Sequence, residues 1–195
     1  MAFYTEDLHS GIRIAQVVGL TTTAFFAGKT FAKSFSATPA LLHAPAPLLA
    51  KQWKTMHDSD KALAPAVVAI GTSVFGYLAS REPRNSKAFI LYTTSASLLA
   101  LCVPYTLILA EPIIQKLEQK AQDLASASLT DTAAEAGVRQ EDTVHQLVDK
   151  WATVNLGRTI LTGIAALTAT WAAVDKLDIV PATIKLAGGA GRMGH

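Results

Sequence analysis

The chain has 195 residues, of which 50% are hydrophobic and only 16% charged, with a formal net charge of +2 and a mean hydropathy of +0.30. A soluble domain carries about 25% charged residues, so the composition argues against an ordinary water-soluble globule, and the lack of a dense basic run argues against a nucleic-acid partner. The single cysteine, Cys102, excludes an internal disulfide and a cysteine-built metal cluster.

The charges are unevenly placed. None occurs in 14–28, 62–80, 88–110 or 159–174, and about 20 apolar residues suffice for a helix to cross the hydrocarbon core. The pattern predicts an all-α fold: an integral membrane four-helix bundle, one domain over 1–195, with spans at about 12–35, 62–80, 88–110 and 151–174. An all-α soluble bundle is the alternative. The first span is read as retained, because acidic Glu6 and Asp7 precede it and no small-residue cleavage site is evident. On this span Ala24, Ala27 and Gly28 form a small-residue side suited to close packing, and Lys29 and Lys33, one turn apart, read as interfacial anchors.

Pro39, Pro45 and Pro47 predict a break in the loop at 36–61. From Leu48 a short helix follows in which Trp53, His57 and Asp60 share a face. The link at 81–87 carries three positive charges against one negative, so the positive-inside rule puts it and both termini in the cytosol. In the third span Pro104 predicts a kink, with Tyr105 and Thr106 beside it. Residues 111–150 read as an extramembrane helical, hairpin-like insertion between the third and fourth spans: an amphipathic helix from Ile113, a flexible link at 126–137, then a helix restarting near Glu141 and running into the fourth span. A glycine-rich flexible tail is expected over 176–195.

The fourth span carries the most informative pattern. At about 100° per residue, Trp151, Asn155, Arg158 and Thr162 fall within a sector of roughly 60°. Arg158 lies about 10 Å of helix rise beyond Trp151. An arginine inside a span is costly and usually faces a cavity or a partner. Arginine and asparagine can both donate to an oxygen anion. Gly157 and Gly163 suit association into a homo-oligomer and internal packing equally. No phosphate or dinucleotide fingerprint is present, and there is no HExxH. The histidines at 9, 43, 57, 145 and 195 are scattered, so no metal site is predicted.

The W-x₃-N-x₂-R motif of Trp151, Asn155 and Arg158, with GLTTTAFFAGKTFAKSF, LLAKQWKTMHDSDKALAP and VPYT in order, resembles the small four-span membrane proteins that include the fungal anthrone oxygenases. Two departures stand out. Pro112-Ile113-Ile114 replaces the frequent P-T-N, and His57 occupies a position that is usually aromatic, with Ser59 and Asp60 near the usual glycine. The resemblance implies oxidation of a polycyclic polyketide anthrone to the anthraquinone with O₂ as co-substrate, no resident cofactor, and a multi-pass protein of the endoplasmic reticulum or another endomembrane. It casts His57 as general base, Asn155 and Arg158 as donors to the enolate or peroxide oxygen, and Trp53, Trp151, Tyr105 and Thr162 as substrate-binding residues. The partners would be a small polycyclic aromatic substrate and the lipid bilayer. The alternatives are a haem- or copper-dependent oxidase using distant histidines, a non-enzymatic four-span scaffold or carrier, and another oxidation or cyclisation of a phenolic polyketide.

Overall fold

The computed structural model describes the backbone of residues 2–190 and the side chains of residues 10–175. Those residues contain helices and no strand. The helices are α1 (Ala2–Ala32), α2 (Thr38–Leu41), α3 (Ala46–Asp58), α4 (Leu63–Ser80), α5 (Lys87–Tyr105), α6 (Glu111–Asp123) and α7 (Val144–Ala190). Helix α1 packs against α4 and α7, and α5 packs against the same two, so the four long helices close into a ring. Two helical stretches, Ala46–Ser80 and Lys87–Asp123, are long and apolar enough to cross a membrane by length and composition. Large apolar side chains stand exposed on every outward face: Val17 and Phe25 on α1, Ile70 and Tyr77 on α4, Ile90 and Leu101 on α5, Leu167 and Trp171 on α7.

The bundle core is built from large residues on two helices and small ones on a third. Phe75 and Leu78 of α4 and Tyr92 and Leu99 of α5 meet Ala165, Ala169 and Ala172 of α7. Spacings of four and three put these alanines on one stripe, which lets α7 approach closely. Polar ties cross the same core: Gln16 donates to the Tyr92 hydroxyl at 2.9 Å, and the Ser95 and Thr168 hydroxyls pair at 2.7 Å. The small side of α1 is not where it packs. Ala24 and Gly28 are exposed, and the close approach falls at Gly19, where a Cβ would lie 2.7 Å from the Phe75 ring.

A second core caps one end of the bundle. Leu49, Ala50 and Trp53 of α3, Ile114 and Leu117 of α6, and Val144, Leu147, Val148 and Trp151 of α7 bury one another. The stretch 111–150 therefore shares its core with the first loop. Its link is tied down by Glu135, whose two carboxylate oxygens each accept the Val144 amide at 3.1 Å and whose Oε1 also accepts from Lys120 at 3.0 Å. An acidic group at the start of α7 satisfies an otherwise unpaired N–H and complements the helix dipole.

Pro39 does not break the chain. A π-helical turn, Lys33–Ala37, precedes it and runs directly into α2, and the break comes at Pro45. Proline costs little in the first turn of a helix, where its missing N–H has no partner to lose. The disturbance expected at Pro104 takes a similar form. Helix α5 continues past it and opens into a π-helical turn, Thr106–Ala110. At the C-terminal end the backbone remains helical to Ala190. Of the tail expected over 176–195, the backbone is therefore described to Ala190, while its side chains and residues 191–195 lie outside the described residues.

Candidate active site

Helix α7 carries Trp151, Asn155 and Arg158 from the cap into the bundle on one inward face. Trp151 and Asn155 are buried, and Arg158 is partly buried. Asn155 fixes the geometry. Its Nδ2 donates to the Thr30 carbonyl at 3.0 Å and to the Ser34 hydroxyl at 2.8 Å, and Ser34 in turn donates to the Ala152 carbonyl at 2.9 Å. Both amide hydrogens are spent on protein, so the side chain has none left for a substrate oxygen. Its Oδ1 accepts from Arg158 Nη2. Asn155 therefore positions the guanidinium.

Arg158 stands over the Phe26 ring, its Cζ 5.7 Å from the ring centroid, and its Nε is buried without a partner. No carboxylate pairs with it among the described residues. Arg158 and Thr106 form the partition between two cavities. On one side is an apolar cleft of about 530 Å³ between α4 and α5, floored by Phe26 and Arg158, with Val68, Thr72 and Cys102 in its walls. Small-molecule sites occupy about 300–1,000 Å³. On the other side is a smaller cavity of about 30 Å³, bounded by His57, Tyr105, Trp151, Asn155 and Arg158 together with the apolar Ile114 and Val154, large enough for about one water-sized molecule.

The structure thus brings five of the seven candidate residues to the inner cavity. Trp53 and Thr162 stand behind it. The Trp53 ring is fully buried, stacked on His57 at 5.1 Å and 7°, and set edge-on to Trp151 at 5.9 Å. It supports these rings and has no free face for a ligand. Thr162 is fully buried and bonds back to the Arg158 carbonyl at 3.0 Å. Tyr105 donates to the Val154 carbonyl at 2.9 Å. Only a glycine at 157 permits this, since a Cβ there would lie 2.1 Å from the Tyr105 hydroxyl oxygen. The walls of the cleft, Phe26 and Thr72 above all, escape sequence reasoning. The α4 wall left one signal, a run of small residues that reads equally well as helix packing.

Burial holds the His57 imidazole below its ordinary value of 6.5, partly opposed by the Glu118 and Asp58 carboxylates. The ring is consequently neutral near pH 7 and able to accept a proton. Asp60 lies beyond the end of α3 and accepts from both Lys29 and Lys33, so these two lysines pin the end of α3 to α1. Partial burial works to raise the Asp60 carboxyl, but hydrogen bonds from Lys29 and Lys33 outweigh it and hold the group below its usual 3.8. A depressed carboxyl contributes stability that is present above its unfolded value and is lost as pH falls through the folded value. Asp60→Asn should therefore cost roughly 1–2 kcal/mol at neutral pH, after discounting for solvent. Thermal unfolding of the two proteins should converge in acid. Among the described residues no three His, Cys, Asp or Glu side chains gather as a metal site would require. The His145 ring pairs with the Ala44 carbonyl at 3.0 Å.

The bundle thus sets a partly buried arginine, without a carboxylate partner among the described residues, between an apolar cleft and a smaller cavity. The sequence model of the anthrone oxygenase family matches residues 53–168, more than half of the chain, and the chain belongs to that family. It is 26% identical over 151 residues to the anthrone oxygenase encC of Aspergillus fumigatus, an alignment covering 71% of this chain and 80% of that protein. No solved structure matches it.

Proposed function

We propose that the protein is an anthrone oxygenase of the endoplasmic reticulum or another endomembrane, its four long helices spanning the bilayer, and that it oxidises the central methylene of a polycyclic polyketide anthrone to the quinone carbonyl. The observation that carries the reading is Arg158, which lines both the apolar cleft and the smaller cavity that holds His57. The scaffold reading calls for this side chain to pack against protein with no cavity beside it. The outward apolar faces of all four long helices support the membrane placement.

The chemistry follows from the substrate. Removing a methylene proton leaves a carbanion whose charge delocalises onto the ring ketone oxygen. Arg158 donates to that oxygen from a site with little water, where a fixed donor is worth most. The neutral His57 imidazole, across the Arg158–Thr106 partition from the cleft, takes the proton by way of a water in the smaller cavity. The anion transfers electrons to O₂ and forms a carbon–oxygen bond, and protonation gives the hydroperoxide. Loss of the second methylene proton and cleavage of the O–O bond release water and leave the carbonyl. One oxygen atom of O₂ enters the product and the other leaves as water. Because the substrate anion itself reduces O₂, the scheme calls for no bound cofactor. Trp151 and Tyr105 bound the cavity, and Trp53 holds the His57 ring in place.

Purified protein incubated with emodin-type anthrone should form quinone faster than the spontaneous reaction in air and not under nitrogen. Equal rates with and without protein would overturn the proposal. The acid limb of kcat/KM against pH should inflect below 6.5, because His57 is the base only when neutral and its pKa is lowered. His57→Ala should abolish that limb. A limb that survives in the variant would assign the base elsewhere.

A further inference from the structure

The apolar cleft opens through the side of the bundle. Its inner walls at Phe26, Val68 and Cys102 are buried, whereas its rims are exposed. Pro65, Ala69 and Ser73 line one rim at intervals of four along α4, and Ala100, Val103 and Leu107 line the other at intervals of three and four along α5. Such spacings keep each set on one stripe of its helix, and the two stripes flank the gap. Packing fills the bundle on both sides of the cleft. On α7 the buried residues of the cap core run to Ala152 and those of the bundle core begin at Ala165, with Arg158 between them. Helices α4 and α5 touch at Gly71, where a Cβ would lie 2.6 Å from the Leu99 side chain. Beside that contact the rims carry only small side chains, Ala69, Ser73 and Ala100.

We infer that the substrate enters this cleft sideways from the lipid, through a mouth whose width is set by Ala69 and Ser73 on α4 and Ala100 on α5. This rests on the membrane-spanning anthrone reading and deepens it by naming the substrate class: flat, uncharged aglycones that dissolve in hydrocarbon. The surface around the mouth is apolar, with Ile70 and Leu101, next to the rims, 45% and 50% exposed, as suits a face covered by lipid. A permanent charge is costly to carry through hydrocarbon. Arg158 inside the cleft attracts anions, so an anionic quinone arriving from water would be drawn in. Entry through lipid excludes that anion before it meets the guanidinium. A mouth also has a kinetic signature. It is passed on the way in and on the way out, so narrowing it slows association and dissociation together and leaves their ratio alone.

Stopped-flow binding of two quinones to the full-length protein in phosphatidylcholine nanodiscs, followed by quenching of tryptophan fluorescence, tests the route without requiring turnover. One probe is a neutral trihydroxyanthraquinone; the other is anthraquinone-2-sulfonate. The wild-type protein should bind the neutral probe, and the sulfonate at least about tenfold more slowly. Ala100→Phe should slow entry and exit of the neutral probe by about tenfold each and keep Kd within about threefold, and Ala69→Phe on the opposite rim should do the same. Thr94→Phe adds a ring at an exposed position of α5 that does not line the cleft, and it should leave both rates within about twofold. Sulfonate binding as fast as the neutral probe means that the mouth opens to water and overturns the inference. Rates in both rim variants equal to those in Thr94→Phe, or a weaker Kd with an unchanged on-rate, overturn it too. Each of these outcomes leaves the anthrone reading in place if the wild-type protein oxidises the anthrone. A wild-type protein that neither binds the neutral quinone nor oxidises the anthrone overturns both together.

Discussion

Arg158→Ala should lower quinone formation by at least a hundredfold while the protein still accumulates and folds. A single fixed donor to a developing oxyanion is worth about 10²–10³ in rate when it is removed. Among the described residues the guanidinium is the one cation lining either side of the partition. Stability should move the other way, or hardly at all. A buried cation with no carboxylate partner adds little to folding, and the variant gives up a hydrogen bond to Asn155 while shedding an unpaired Nε. Arg158→Lys keeps the charge but loses the planar fork that reaches both Asn155 and a ligand; it should recover only a small part of the rate. Turnover in Arg158→Ala within twofold of wild type would remove the residue from the chemistry.

The second large effect is expected at Gly157, and it is one of packing. A Cβ at this position would sit 2.1 Å from the Tyr105 hydroxyl oxygen and 2.9 Å from the ring carbon that bears it. The ring cannot retreat without giving up its bond to the Val154 carbonyl. Overpacking of this kind costs about 1–3 kcal/mol, and the lost hydrogen bond adds about 1 kcal/mol. Gly157→Ala should therefore destabilise by about 2–4 kcal/mol and lower activity, because Tyr105 bounds the same cavity as Arg158. Tyr105→Ala alone leaves a hole with a cost of similar size. Together the two changes should cost well under their sum, since the new methyl group enters the vacated space. Thermal unfolding of the four proteins decides it. Additivity to within about 0.5 kcal/mol would mean that the two side chains do not oppose each other.

How far the sequence could be read depends on the range of the interaction. The face shared by Trp151, Asn155 and Arg158 was legible because the three lie at intervals of four and three on one helix, and helical geometry alone aligns them. The same holds for the face shared by Trp53 and His57, four residues apart, although Trp53 was expected to stack on a substrate and stacks on His57 instead. What these residues touch was not legible. Asn155 spends its amide on Thr30 and Ser34, more than a hundred positions away in the chain, and no local rule selects those partners over a substrate oxygen. Lys29 and Lys33 read as lipid anchors because their common acceptor, Asp60, lies in another segment. Pro39 read as a break because the π-helical turn that accommodates it depends on the residues around it. The cleft left the weakest trace of all, since its small and apolar wall residues are those of any closely packed helix pair.

Helix α7 has a mechanical consequence. From Val144 in the cap to Ala172 in the bundle it is one uninterrupted rod, roughly 42 Å long, with its ends set in separate cores. A tilt imposed on the outer knob of this lever must displace the guanidinium partway along its shaft, since no joint intervenes to absorb the movement.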